Sequence, residues 1–190
     1  MILPFDELNV VRSGLEELSI EAGSTKENVK PLNKDDCIDL VLDALIVAYV
    51  YGVETANQSL GTAIPTLEGE MRSAIEKKIA GKDFRERVSE YAAAGDIASI
   101  MRVADTDMTR IFNEAGMNTA RAVSSGGRPV TKTWRTMEDD RVRDTHEYLQ
   151  GMTVPLEARF YTYDGDSAMY PGDFGNADNN CNCRCLLEFR

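Results

Sequence analysis

The stretch DIASIMRVADTDMTRIFNEAGMNTARAVSSGG, residues 96–127, decides how this chain folds. Ile97, Ile100, Met101, Ala104, Met108, Ile111, Phe112 and Ala115 recur at three- and four-residue steps, which stacks them on one face of an α-helix. Arg102, Arg110 and Glu114 fall mainly on other faces. Asp96, directly after Gly95, is placed to cap the helix start by accepting a backbone N–H. A methionine and aromatic stripe at this spacing reads as core. Ser125-Gly126-Gly127 then breaks the helical pattern, and the chain changes character.

Upstream, the sequence keeps reading as helices. Phe5 to Ala22 is mildly amphipathic and ends in Gly23-Ser24-Thr25. Pro31 and Asn33 signal a second start, with Asp35 and Asp36 at the positive end of the helix dipole, and that helix runs toward Gly61. A third spans Thr66 to Ala80, with Leu67, Met71, Ala74, Ile75 and Ile79 on one face. A fourth covers Asp83 to Ala94.

Downstream, Arg128 to Arg135 alternates like a strand, with Val130, Lys132 and Trp134 on one face and Thr131 and Thr133 on the other. Thr136 and Asp139 form a helix-start signal, so a short helix is expected over Glu138 to Leu149, stopped at Gly151. Arg159 to Tyr163 and Cys183 to Phe189 are strand candidates. Asp164 to Asn180, rich in Gly, Asp and Asn, reads as a long loop. The expected fold class is α+β: a helical N-terminal arm or bundle over residues 1–125, followed by a small α+β domain over residues 126–190.

Charge narrows the function classes. The formal net charge is −11, and residues 1–60 hold 11 acids against 4 bases. An acidic surface repels phosphates at long range, so general DNA binding is not advertised. Met1 to Phe5 leads straight into Asp6 and Glu7, which is not a signal-peptide pattern. The most apolar run, Ala44 to Val53, is too short to cross a bilayer and reads as a buried helix. Three of the four cysteines crowd into five residues, unlike a secreted disulfide framework, so synthesis in a reducing cytoplasm is expected.

Two features carry chemistry. His146 is the lone histidine, open to three readings: a hydrogen-bonded structural residue, a metal ligand or a general base. Cys181, Cys183 and Cys185 are the densest cluster. In a flat strand, side chains two residues apart sit roughly 6.5–7 Å from each other. Two thiolates on one tetrahedral zinc must approach to roughly 3.8 Å. The chain therefore has to bend near Cys181–Cys183 if a structural zinc is held by His146, Cys183, Cys185 and Cys181, and Asn179-Asn180 offers turn-prone residues for that. The other reading is small buried side chains on a core-facing strand.

The ordered set Thr131-Lys132-Thr133-Trp134, then Asp140, Val142, Arg143, His146, Leu149 and Gly151, then Pro171-Gly172-Asp173, and finally Asn182-Cys183-Arg184-Cys185 resembles the phage head-morphogenesis family of minor head, or Mu F-like, proteins. The resemblance covers roughly the last ninety residues, and more loosely the helix from near residue 96. Cys181 looks like an addition to the family ending. Ala104-Asp105-Thr106-Asp107 occupies the place where relatives often carry an Arg-Thr-Glu type segment, a partial match, and a solvated face is the reading of Asp107.

The resemblance implies a virion component that takes part in head assembly, meets portal and capsid proteins, lies in the capsid interior or at the portal vertex, and accompanies phage DNA at packaging or ejection. No membrane partner is implied. It groups Asp140, Arg143, His146, Asp173 and the Cys183–Cys185 pair as one structural centre, with Arg143 reaching Asp139, Glu147 or Asp173. Some relatives continue into an effector domain after the Asn-Cys-Arg-Cys ending. Here Arg190 follows five residues later, so the expectation is assembly and no catalysis. Two rivals stand beside it: a metal- or histidine-dependent hydrolase or nuclease centred on His146 with Asp140 or Asp173, and a DNA-binding adaptor using Arg121, Arg128, Lys132, Arg135, Arg141 and Arg143.

Overall fold

The computed structural model describes residues 5–190. Five helices come first: α1 Phe5–Glu21, α2 Lys34–Leu60, α3 Glu68–Ile75, α4 Phe84–Ala94 and α5 Ile97–Ser125. Their ends follow the sequence signals. The Asn33 side chain accepts from Asp35 N at 3.0 Å to start α2, and Gly61 ends it in the left-handed conformation. A reciprocal Asp83–Glu86 capping box starts α4. Asp96 accepts from Ser99 N at 3.0 Å to start α5.

The long helices α2 and α5 are the spine of the molecule. Gly52 lets them touch: a Cβ there would lie 2.2 Å from the Phe112 carbonyl oxygen. Around their N-terminal halves, Leu15, Val41, Leu45, Tyr49, Phe84, Ile100 and Ile111 form one core.

After α5 the chain turns into short elements. β1 Thr131–Arg135 lies between β2 Thr153–Pro155 and β5 Leu186–Phe189 in an antiparallel sheet of order β2-β1-β5. Thr133 faces Thr153, and Trp134 faces Leu187. β3 Phe160–Tyr161 and β4 Ser167–Ala168 make a second small pair, and α6 Asp144–Glu147 and α7 Ala177–Asn180 are single turns. A second core gathers Trp134, Leu149, Phe160, Phe174, Cys183, Cys185 and Phe189 with Ala56 and Leu60 of α2 and Met117 and Ala120 of α5. The last third therefore buries its apolar side chains against the far ends of the two spine helices.

Several local expectations change. The helix expected over Glu138 to Leu149 shrinks to α6, because Glu138 takes a positive φ of 54° and the Asp139 carboxylate binds Arg184 instead of continuing a helix. The helix expected to reach Ala80 stops at Ile75; Ala80 turns with φ 51° and Ile79 bridges to Lys82. The last strand begins at Leu186, not Cys183, and the strand expected over Arg159 to Tyr163 is confined to Phe160–Tyr161. β2, β4 and α7 carry no strong signal in the sequence. Arg110, read as lying off the apolar face, is 2% exposed and donates to Ala74 O and Glu114, both at 3.0 Å. Asp107, read as solvated, is buried against Arg87 at 2.5 Å.

Candidate metal centre

His146 reaches the second core because Arg143, in extended conformation, sets the start of α6 and donates through Nη2 to the Cys181 carbonyl oxygen. The imidazole is 1% exposed. It stacks on Phe174, with centroids 5.2 Å apart at 18°, and meets Trp134 edge-on at 5.7 Å. Asn180 fixes that platform by accepting from Phe174 N at 3.0 Å and donating to Phe174 O at 2.8 Å. Thr145, beside His146, donates to Asn179, and Asn179 in turn donates to Asp166. Asp166 also accepts the backbone N–H groups of Ser167, Gly175 and Asn176, so one carboxylate gathers the long loop.

The cysteines arrive from the opposite side. Asn182 takes a positive φ of 54° and Cys183 N bonds back to Asn180 O at 3.1 Å, so the chain bends before β5 and not within it. That bend turns Cys183 and Cys185 toward the same ring nitrogen. His146 Nδ1 lies 3.6 Å from Cys183 Sγ and 3.5 Å from Cys185 Sγ. All three donor atoms lie within 4.8 Å of one another, and all three residues are buried.

This donor set fits a tetrahedral zinc. With Zn–N of ~2.0–2.1 Å and Zn–S of ~2.3 Å, ligand nitrogen and sulfur stand about 3.6 Å apart, the spacing found here. A cavity of about 10 Å³ adjoins the three residues, room for one water-sized fourth ligand. The thiols are electronically suited as well. A hydrogen bond from Cys185, followed by the neighbouring imidazole, holds Cys183 well below its ordinary pKa, while the same proton sharing and burial push Cys185 up. Binding a cation here requires both thiols to give up their protons. His146 Nε2 has no partner among the described residues.

The other residues expected in the centre separate. Cys181 stands outside the three-residue group and is half-buried. Asp173 accepts from Met169 N at 3.0 Å and lies 3.6 Å from both Lys77 and Arg159. Its neighbour Phe174 is the residue that touches His146. Asp140 is exposed. Arg143 binds a backbone carbonyl, and Asp139 pairs with Arg184 at 2.6 Å.

Asn113 was not legible as a site residue. Its side chain, 2% exposed on α5, donates to Cys185 O at 3.1 Å and accepts from Leu187 N at 3.0 Å. Helical periodicity puts Asn113 opposite the apolar stripe, beside Arg102, Thr106 and Thr109, so the local pattern carries no signal for its burial.

The basic residues considered for DNA contact are mostly engaged inside the molecule. Arg121 grips Glu157, Arg128 donates to Leu60 O, Arg135 pairs with Glu188, and Lys132 is fully buried, donating to Met169 O at 2.7 Å. Among the described residues no helix is long and apolar enough to cross a membrane.

Residues 65–188, from the approach to α3 into β5, match the family described as Phage Mu protein F like protein. The chain is similar to the minor head protein GP7 of Bacillus phage SPP1, 32% identical over 60 residues, which is 32% of this chain and 20% of that protein. It is also similar to an NAD(+)–arginine ADP-ribosyltransferase, EFV, of Enterococcus faecalis (strain ATCC 700802 / V583). There the identity is 33% over 88 residues, 45% of this chain and 17% of that protein. The chain thus spans a fifth or less of the length of these two relatives. No solved structure matches.

Proposed function

The chain belongs to the Phage Mu protein F like family, and on that premise we propose that it is a minor head protein acting in phage head assembly, held in the virion by contacts with portal and capsid proteins. The observation that carries this reading is the family match itself, which runs across α3, α4 and α5 and through the β-containing third into β5. The similarity to a minor head protein supports it. The proposed role is structural, a reading supported by His146 being 1% exposed, with Nδ1 turned to two thiols, one ring face stacked on Phe174 and an edge contact to Trp134.

Within that role, His146, Cys183 and Cys185 hold a structural zinc. The ion would join α6 to the segment entering β5, two pieces of chain that otherwise meet through few backbone bonds. Zinc supplies a strong, non-redox crosslink that needs no oxidising compartment. These residues place one nitrogen and two sulfurs around one point, and the aromatic walls exclude solvent. The DNA role stays secondary, because the basic stretch flanking β1 is largely spent on internal partners.

Co-expression with the portal protein encoded by the same genome tests the proposal. Joint elution through successive affinity and size-exclusion steps is expected. A chain that never accompanies the portal or the major capsid protein, and is missing from purified particles, would end it.

A further inference from the structure

The exposed charges of this acidic chain are unevenly arranged. On one side, α1, the first turns of α5 and the segment before β5 enclose an open groove of about 850 Å³. Arg12, Arg102, Arg141 and Arg184 surround it, and among the described residues Asp105 is its one lining carboxylate. Leu8, Ile97 and Met101 supply an apolar floor. Arg184 and Arg141 lean on Asp139 at 2.6 and 3.7 Å. Among the described residues no ion pair engages Arg12 or Arg102, and both are exposed. Guanidinium groups suit carboxylates geometrically, since the planar fork can bind both oxygens.

The same chain carries the complementary shape. On α2, Asp36, Asp39, Asp43, Val47, Val50 and Glu54 follow one another at three- and four-residue steps, which sets them on one helix face. The opposite face holds the buried Cys37, Val41, Leu45 and Ala48. The four acids are exposed, the two valines are half-buried, and no base interrupts the stripe. Acids flanking a short apolar strip match arginines flanking an apolar floor.

We propose that the arginine groove of one copy receives the acidic outer face of α2 from a second copy. The two surfaces are different patches, so the contact is head-to-tail and repeats around a ring or along a row. An apolar floor favours an amphipathic protein helix over a phosphate backbone, and the net charge of −11 opposes a polyanion at long range. The inference stands apart from the metal centre, whose three residues do not line this groove.

Sedimentation of the full chain at rising concentration, at low and at high salt, tests it. The expected result is a mass that climbs with concentration at low salt and returns to the monomer at high salt. Arg12→Glu with Arg102→Glu, and separately Asp39→Lys with Asp43→Lys, should each give a monomer with an unchanged melting curve. Mixing the two double variants should restore association, because each then offers the other a complementary surface. A wild-type chain that stays monomeric at low salt overturns the proposal, as does a reversed variant that associates like wild type or a mixture that stays monomeric. Retention of a monomeric wild type on duplex DNA, lost in Arg12→Glu with Arg102→Glu, would also overturn it and assign the groove to a polyanion.

Discussion

Asn113 and Cys185 are joined across the two halves of the molecule: the Asn113 Nδ2 donates to the Cys185 carbonyl oxygen at 3.1 Å, while its Oδ1 accepts from Leu187 N at 3.0 Å. One buried amide on α5 thus completes the open edge of β5, as a neighbouring strand would. It also fixes the backbone of a residue whose thiol faces His146.

Replacing Asn113 with Leu should be costly. Both the Cys185 carbonyl and the Leu187 N–H lose their partner in a dry interior, at about 1–3 kcal/mol for each group. Urea unfolding is expected to show a loss of about 2–6 kcal/mol. A change of less than a few tenths would mean that β5 is held by β1 alone.

Asp107 is 1% exposed, 2.5 Å from Arg87 and 3.7 Å from Arg110. Asp107→Asn leaves two guanidinium groups short of a counter-charge, and breaking a buried pair costs about 3–5 kcal/mol. Chemical denaturation at neutral pH should report a loss of that order. Arg72→Ala, on the exposed pair with Glu68, should fall within about 1 kcal/mol of wild type.

Metal content decides the role of the buried triad. Protein purified without a histidine tag is expected to hold one zinc per chain by elemental analysis, and His146→Ala or Cys183→Ser to lose it. Chelation should lower the melting temperature by about 2–4 °C for every kcal/mol of binding energy removed. A metal-free chain with the same melting temperature would leave the three residues as an apolar packing cluster.

Lys132 offers a test by pH. Burial, the largest effect, pushes its pKa down to about 8 from an ordinary value of 10.5. Between those values the unfolded chain binds the proton more readily than the folded one, so stability from this residue rises as pH climbs from about 8 to about 10.5. Below about 8 the penalty of a buried ammonium is fully present. Lys132→Met removes the penalty but leaves the Met169 carbonyl unpaired. Wild type should therefore gain on the variant as pH rises through that window, read from paired urea midpoints, and a pH-independent difference would contradict the burial argument.

Helices were legible where local chemistry repeats. The Asp96 and Asn33 caps, the Gly61 and Gly95 stops and the apolar stripe of α5 each act within a few residues, so their pattern is written along the chain. The helix over Glu138 to Leu149 failed for the opposite reason. Its starting signal, Asp139, finds a stronger partner in Arg184, forty-five residues away. Buried charge failed likewise: nothing near Arg110 or Asp107 in sequence reveals that α4 and the loop around Gly172 close over them.

The sequence by itself determined the helical first part, the switch of character after Ser125 and the residue types of the candidate centre, because capping, periodicity and side-chain chemistry are local. It also offered turn-prone residues, Asn179-Asn180, for the bend near Cys181–Cys183 that a shared metal would require, and the structure makes that bend at Asn182. Only the tertiary structure decided which of the expected residues meet. It put Cys183 and Cys185 on one imidazole nitrogen, left Cys181 and Asp173 out, and brought in Phe174 and Asn113. Those choices depend on how α5 and the last strand share one core, and contacts between groups tens of residues apart are set by packing, which no short window of sequence records.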